Sequence, residues 1–217
     1  MLKREKRGGI SGRLLPERYF CREPFIRELH FSARMVEAGL SPRLAARWFF
    51  SRGVLDEVYT LMEPLAGAVS LLELLLARKQ NGWHFRATGE LAGRLHALGV
   101  FHGDLNAGNV LFGSGGKAWA IDWRHSFIFS PMPDAMRLSN LLRLERSITK
   151  TAASVGRTMP GDCWPAFADG YEKGSGHRQD AVRNQWLSGA GRRFSIRRAF
   201  WRLAASSESR GPRLSSR

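Results

Sequence analysis

Cysteine is scarce: Cys21 and Cys163 lie far apart, with no C-x-x-C pattern and no neighbouring histidine at ligand spacing. That composition excludes a disulfide framework or a cysteine-built zinc site as an organising principle, and it points to a reducing compartment. Long apolar runs are missing too. The most hydrophobic window, Leu65 to Ala77, contains Glu73 and falls short of the roughly 20 residues that a bilayer-crossing helix needs. Any membrane contact is therefore expected to be peripheral. The opening Met-Leu-Lys-Arg-Glu-Lys-Arg runs into Gly8-Gly9 rather than into an apolar stretch, so no export signal is expected. No internal repeat or transmembrane array is visible. Acidic residues are few, 19 against 34 Lys plus Arg, which gives a formal charge of +15. Such an excess suits a negatively charged partner, whether phosphate-bearing lipid, membrane surface, nucleotide or nucleic acid, without choosing among them.

What is present is enough for a core: 43% of 217 residues are apolar, sufficient for one domain or two small lobes sharing a cleft. Residues 7–20 form a Gly-rich basic turn that reads as a connector. Phe25, Leu29, Met35 and Val36 are spaced as a helix face that begins near Pro24 and stops at Gly39. Glu28 lies within it, where a surface salt bridge is the plain expectation. Residues 44–50 and 54–62 are β-prone runs around Ser51-Arg52-Gly53, a hairpin signal, and the second runs into Glu63-Pro64, which suits a hinge. A leucine-rich stretch, 71–76, predicts a short helix. From His84 to Leu98 the spacing predicts a buried helix, with Gly99 as its stop and His96 as a packing residue. Val110–Phe112 and Ala118–Ile121 flank Ser114-Gly-Gly116 as a second hairpin. Residues 137–150 predict a helix with Arg137, Arg143, Arg146 and Lys150 along it, and 163–173 a last helix ending before Gly174-Ser-Gly176. That glycine pair marks the expected end of the globular part.

Beyond it, residues 177–217 hold ten arginines and only Asp180 and Glu208 as acids, about half of the net charge. Trp186, Phe194, Ile196, Phe200, Trp201 and Leu203 are interleaved with the arginines. Such a segment can lie on an anionic bilayer or bind nucleic acid. The polar run from Ala204, followed by Gly211-Pro212, equally fits a disordered, solvated tail.

Chemistry concentrates between the two hairpin strands and the helix before them. His102-Gly-Asp104-Leu-Asn-Ala-Gly-Asn109 is followed, thirteen residues after Asn109, by Asp122 in Ile121-Asp122-Trp123. Phosphoryl transfer needs an acceptor for the nucleophile's proton and oxygen ligands that hold Mg²⁺ against a triphosphate. Asp104 suits the first role, and Asn109 and Asp122 the second. His102 would brace the loop. Singly, each of these is an ordinary turn former or strand end. Jointly, H-G-D-L-x-x-x-N, a hairpin and I-D at this separation predict a kinase-like phosphotransferase.

Taken with Arg7-Gly8-Gly9, Arg18-Tyr19, Pro24-Phe25-Ile-Arg27-Glu28-Leu29, and Ala38-Gly39-Leu40-Ser-Pro42-Arg-Leu-Ala45-Ala46, that motif resembles the lipopolysaccharide kinase family, which includes 3-deoxy-D-manno-octulosonic acid (Kdo) kinase. The likeness covers about residues 1–173. Its central motif also occurs in aminoglycoside and choline kinase-like phosphotransferases, so the earlier segments make it specific. The resemblance implies an α+β, protein kinase-like fold. Residues 1–64 would be a truncated N-terminal lobe, 65–176 a helical C-terminal catalytic lobe with the catalytic-loop hairpin, and 177–217 a basic Arg-rich tail. It implies an ATP- and Mg²⁺-dependent kinase acting on a Kdo hydroxyl of a Kdo-lipid A precursor, peripheral on the cytoplasmic face of an anionic inner membrane, with nucleic acid not expected as partner. By carry-over Asp104 is the base, Asn109 and Asp122 are the metal ligands, and Glu28 pairs with a basic residue that contacts ATP phosphates. Lys3 falls where that residue belongs. The family's earlier strands and nucleotide-covering loop would precede Met1, and Trp123-Arg124 stands where protein kinases have Phe-Gly. The alternatives are a small-molecule phosphotransferase of the aminoglycoside or choline kinase type, or a truncated, non-catalytic descendant that binds a membrane or other anionic partner.

Overall fold

The computed structural model of the protein describes residues 2–4, 19–113, 116–157, 159, 161–176, 184 and 186, with 2–4 and 52 described by their backbone alone. Its first helix shows how local sequence sets the chain path. Helix α1, Glu23–Glu37, has Pro24 in its first turn, where a missing N–H costs nothing. At the other end Gly39 adopts φ +69°. Its N–H reaches the Val36 carbonyl at 2.8 Å, and the Leu40 N–H reaches that of Met35 at 2.8 Å, the double bond of a Schellman ending. Met35 and Leu40 are both buried in the main core, so the stop also anchors the helix.

Three antiparallel strands lie beside this helix, in the order β1 (Leu2–Arg4), β3 (Leu55–Met62), β2 (Leu44–Arg52). The β2–β3 hairpin forms where the alternating sequence predicts it, turning at Gly53 with φ +67°. Lys3 and Arg47 both pair with Thr60, so the three share one cross-strand row. Tyr19, Phe25 and Val58 make a small buried cluster with Phe49 packed against it, the Tyr19 and Phe25 rings meeting edge-on at 4.6 Å.

The rest is mixed, with a predominantly helical C-terminal part. Strand β4 (Val69–Ser70) leads into α2 (Leu71–Ala77), whose start is fixed by a Ser70–Glu73 capping box. Helix α3 (Gly82–Ala97) delivers β5 (Val100–Phe101), and β6 (Val110–Phe112) and β7 (Ala118–Ala120) form the second hairpin. The sheet order is β4-β6-β7, while β5 pairs with β8 (Phe127–Ile128). Two long elements close the core, α4 (Asp134–Ser154) and α5 (Cys163–Ser175).

The last helix departs from expectation. It runs through Gly174 and ends at Ser175, with Gly176 left-handed at φ +73°. Gly170 and Gly174 are contact residues rather than breakers: a Cβ on them would come within 1.9 Å of the Arg86 carbonyl oxygen and 2.1 Å of that of Glu90. On α3, Gly89 and Gly93 answer in kind, a Cβ there falling 2.0 Å from the Phe167 carbonyl and 2.4 Å from that of Tyr171. Four glycines at a spacing of four thus let two backbones touch, as small-residue helix crossings do. Trp186, from the Arg-rich segment, is buried in the main core. Its ring meets Phe167 at 5.0 Å and Trp164 at 5.6 Å, and its indole N–H donates to Glu145 Oε2 at 2.9 Å. The other aromatic residues of that segment, and the connector at 7–18, lie outside the described residues. No helix among the described residues is long and apolar enough to cross a membrane.

Candidate active site

Between β5 and β6 the chain makes a loop that a network of hydrogen bonds holds. His102 is fully buried. Its Nε2 lies 3.0 Å from the Ile121 carbonyl and its Nδ1 accepts the Asp104 N–H at 3.2 Å, which fixes the neutral tautomer with the proton on Nε2. Burial pushes its pKa down to about 4. This residue is therefore an uncharged strut in the loop, with both ring nitrogens engaged. Asn106 accepts the N–H groups of Gly108 and Asn109 at 2.8 and 3.2 Å, capping the short 3-10 turn at Ala107–Asn109. At Gly103 a Cβ would lie 2.0 Å from the His125 carbonyl oxygen, so only glycine fits between the loop and that segment.

Hydrogen bonds link the segments that carry Asp104, Asn109 and Asp122. Asn109 Nδ2 donates to the Asp104 carbonyl at 2.8 Å, and the Ile121 N–H donates to the Asn109 carbonyl at 3.1 Å. Asp104 and Asn109 are thus coupled across the loop, and the residue preceding Asp122 is held by both Asn109 and His102. Asp122 itself has φ +68°, in the left-handed region that a non-glycine side chain adopts at a cost and that recurs at functional sites. With its amide nitrogen committed to Asp104, Asn109 has its side-chain oxygen as the remaining donor. Together with the Asp122 carboxylate this is a hard, oxygen-only set, the chemistry that Mg²⁺ prefers. Among the described residues there is no group of three or more His, Cys, Asp or Glu placed to hold a metal ion.

Each carboxylate faces an arginine. Asp104 Oδ1 lies 2.5 Å from Arg143 of α4, with both side chains close to half exposed. Asp122 takes a two-pronged contact from Arg124, at 2.9 and 2.8 Å. Neither arginine stands out in sequence as a site residue; Arg143 reads only as part of a basic helix face. Helix α4 contributes more than that. Asn140 accepts the His102 N–H at 3.1 Å and donates to the His102 carbonyl at 2.7 Å, while Ser147 Oγ accepts the Ala107 N–H at 3.1 Å. A buried asparagine on an otherwise leucine-lined stripe is the signal that could have revealed this seam.

Glu28 is not on the surface, contrary to the plain expectation for it: it is 6% exposed and pairs at 2.8 Å with Arg47 of β2, itself 2% exposed. Arg47 also reaches Thr60 Oγ1 at 2.9 Å and the Phe25 carbonyl at 2.6 Å. The other Glu28 oxygen accepts the Trp123 N–H at 3.2 Å. Trp123 stacks on Phe31 at 5.5 Å and donates to Ser41 at 3.0 Å. So α1 holds the residue after Asp122, as His102 holds the residue before it. Lys3 sits at the register position next to Thr60, in the row that ends at Arg47.

Comparison with known proteins gives the family of the chain. A sequence model described as "Lipopolysaccharide kinase (Kdo/WaaP) family" matches residues 2–171. The chain is similar to "3-deoxy-D-manno-octulosonic acid kinase" of Vibrio vulnificus, 28% identical over 176 residues that cover 79% of this chain and 74% of the relative. The protein of the same name in Xanthomonas euvesicatoria pv. vesicatoria is 32% identical over 163 residues, covering 72% and 64%. That of Stenotrophomonas maltophilia is 33% identical over 156 residues, covering 69% and 61%. The chain thus spans between 61% and 74% of the length of these relatives.

Proposed function

The chain belongs to the lipopolysaccharide kinase (Kdo/WaaP) family, and from that premise we propose that it transfers the γ-phosphate of ATP to a hydroxyl of a Kdo residue on a lipid A precursor. One observation carries the reading. The segments that carry Asp104, Asn109 and Asp122 are bonded to one another: Asn109 donates to the Asp104 carbonyl, the Ile121 N–H donates to the Asn109 carbonyl, and His102 contacts both the Asp104 N–H and the Ile121 carbonyl, which supports this reading. In this role Asp104 orients the acceptor hydroxyl and takes its proton. Asn109 and Asp122 would hold Mg²⁺, which when bound neutralises charge on the phosphates. Glu28 keeps the Asp122 segment in place through the Trp123 N–H, and Lys3, in the same strand row as Arg47, is the proposed phosphate contact. The resulting picture is a two-lobe, kinase-like cleft, with residues 1–64 on one side and 65–176 on the other. The +15 charge of the chain suits a phosphorylated glycolipid at an anionic inner-membrane surface, with the protein peripheral on the cytoplasmic face.

The test is transfer of labelled γ-phosphate to Kdo-lipid A precursor in the presence of Mg²⁺. Asp104→Ala is expected to lower the rate by about 10²–10⁴-fold, the range for loss of a positioned acid or base. If wild type transfers no more label than this variant, the kinase reading fails. The same assay with an aminoglycoside or choline as acceptor tests the small-molecule alternative.

A further inference from the structure

The ion pair between Asp104 and Arg143 is placed where a stabilising contact is least useful. Both side chains are close to half exposed, 45% and 47%, and solvent-screened pairs of this kind contribute little to stability. The catalytic loop does not depend on it, because Asn140 and Ser147 already fasten α4 to His102 and Ala107. Meanwhile the guanidinium sits on Asp104 Oδ1, one of the two carboxylate oxygens that an incoming hydroxyl would use. A cation that occupies the proposed base, and that can move into solvent on a long side chain, calls for an anion to replace it.

An acceptor that carries its own carboxylate meets that requirement. The relatives are named for an octulosonic acid, a sugar with a carboxylate that is ionised at neutral pH. We propose that Arg143 is the acceptor-binding residue that takes the sugar carboxylate in a forked pair, exchanging it for Asp104 and so leaving Oδ1 to the hydroxyl that is to be phosphorylated. The planar guanidinium matches a carboxylate with two parallel hydrogen bonds, which a lysine ammonium cannot reproduce. This inference rests on the Kdo-kinase reading for the identity of the acid, and on the Arg143–Asp104 geometry for the residue.

Equilibrium binding of free Kdo and of its methyl ester to the full chain, by titration calorimetry, separates the two. Wild type is expected to prefer the acid over the ester by about tenfold or more, the discrimination of a charge-assisted hydrogen bond. Arg143→Gln should bind the ester as wild type does and lose the preference for the acid, and Arg143→Lys should recover only part of it. Unchanged thermal melts will show that the variants fold. An acid preference that survives in Arg143→Gln, or its absence in wild type, overturns the proposal. So does a rise in the KM for ATP with the acid preference intact, which would assign the cation to the nucleotide. Phosphate transfer to Kdo-lipid A precursor is scored separately: transfer by wild type together with an indifferent Arg143→Gln defeats the Arg143 inference alone, whereas loss of acid preference in Arg143→Gln without any transfer by wild type defeats the kinase reading alone.

Discussion

Asp104 and Asp122 are fixed by different parts of the chain. The Asp104 loop is fastened to α4 by Asn140 and Ser147, all within the helical C-terminal part. The segment around Asp122 is fastened on one side to that same loop, through His102, and on the other to α1, through Glu28 and the Trp123 N–H. Glu28 in turn is held by Arg47 from the three-stranded sheet. The proposed base is therefore held within the C-terminal part of the chain, whereas the segment of the proposed metal ligand is held from both parts. Whatever tilts α1 or the sheet acts first on Asp122.

The sharpest way to break this contrast is Arg47→Ala. Removing one partner of a buried ion pair leaves an uncompensated charge and costs about 3–5 kcal/mol. Here the Glu28 carboxylate would be stranded at 6% exposure, and Thr60 and the Phe25 carbonyl would lose a donor. Urea denaturation should show the full loss, while Arg143→Gln, on the exposed pair of Asp104, should cost less than ~1 kcal/mol in the same experiment. Similar losses for the two variants would mean that the two carboxylates are not supported differently after all.

His102 joins the two sides, and its titration offers the next largest effect. Burial in the folded state holds it neutral, pushing its pKa down to about 4 from the ordinary 6.5. Below pH 6.5 the unfolded chain binds a proton that the folded chain refuses, so stability contributed by this group is complete above 6.5 and declines as pH falls towards 4. The slope approaches ~1.4 kcal/mol per pH unit, for a total of about 3 kcal/mol. Comparing ΔG against pH for wild type and His102→Asn isolates this contribution from that of the carboxylates. Parallel curves between pH 4 and 6.5 would show that His102 is not the strut that couples Asp104 to Ile121.

Elements with a local cause were legible in the sequence, and contacts between distant residues were not. The extent of α1 follows from its apolar spacing and the left-handed Gly39, and the two hairpins from β-prone runs around glycine turns. Asp104, Asn109 and Asp122 could be read together because their spacing along the chain is itself the motif. Gly174 does not end its helix as expected, because a glycine in a helical stretch has two physical meanings, an ending or a close approach. Its partner glycines, 89 and 93, share the same spacing of four, but only packing pairs one helix with the other. Arg47 looks like one more basic residue of a β-strand. Its pairing with Glu28 depends on how α1 lies against the sheet, and nothing in the local pattern around either residue encodes that. The same holds for Trp186, whose place in the core could not be told from its interleaving with arginines.

The smallest effect probes the arginines that face the two carboxylates. Arg124 and Asp122 are 21% and 25% exposed, more enclosed than Arg143 and Asp104 but still screened by solvent. If Arg124 occupies the oxygens that would bind the cation, Arg124→Ala should leave stability within ~1 kcal/mol and lower the Mg²⁺ concentration for half-maximal activity by about fivefold, the same energy expressed as affinity. Arg143→Gln, acting on the acceptor side, should leave the Mg²⁺ requirement where it is. An unchanged or raised requirement in Arg124→Ala would assign Arg124 to orienting Asp122 for the metal rather than to competing with it. The two arginines would then differ in kind: one supporting its carboxylate, the other yielding its carboxylate to the acceptor.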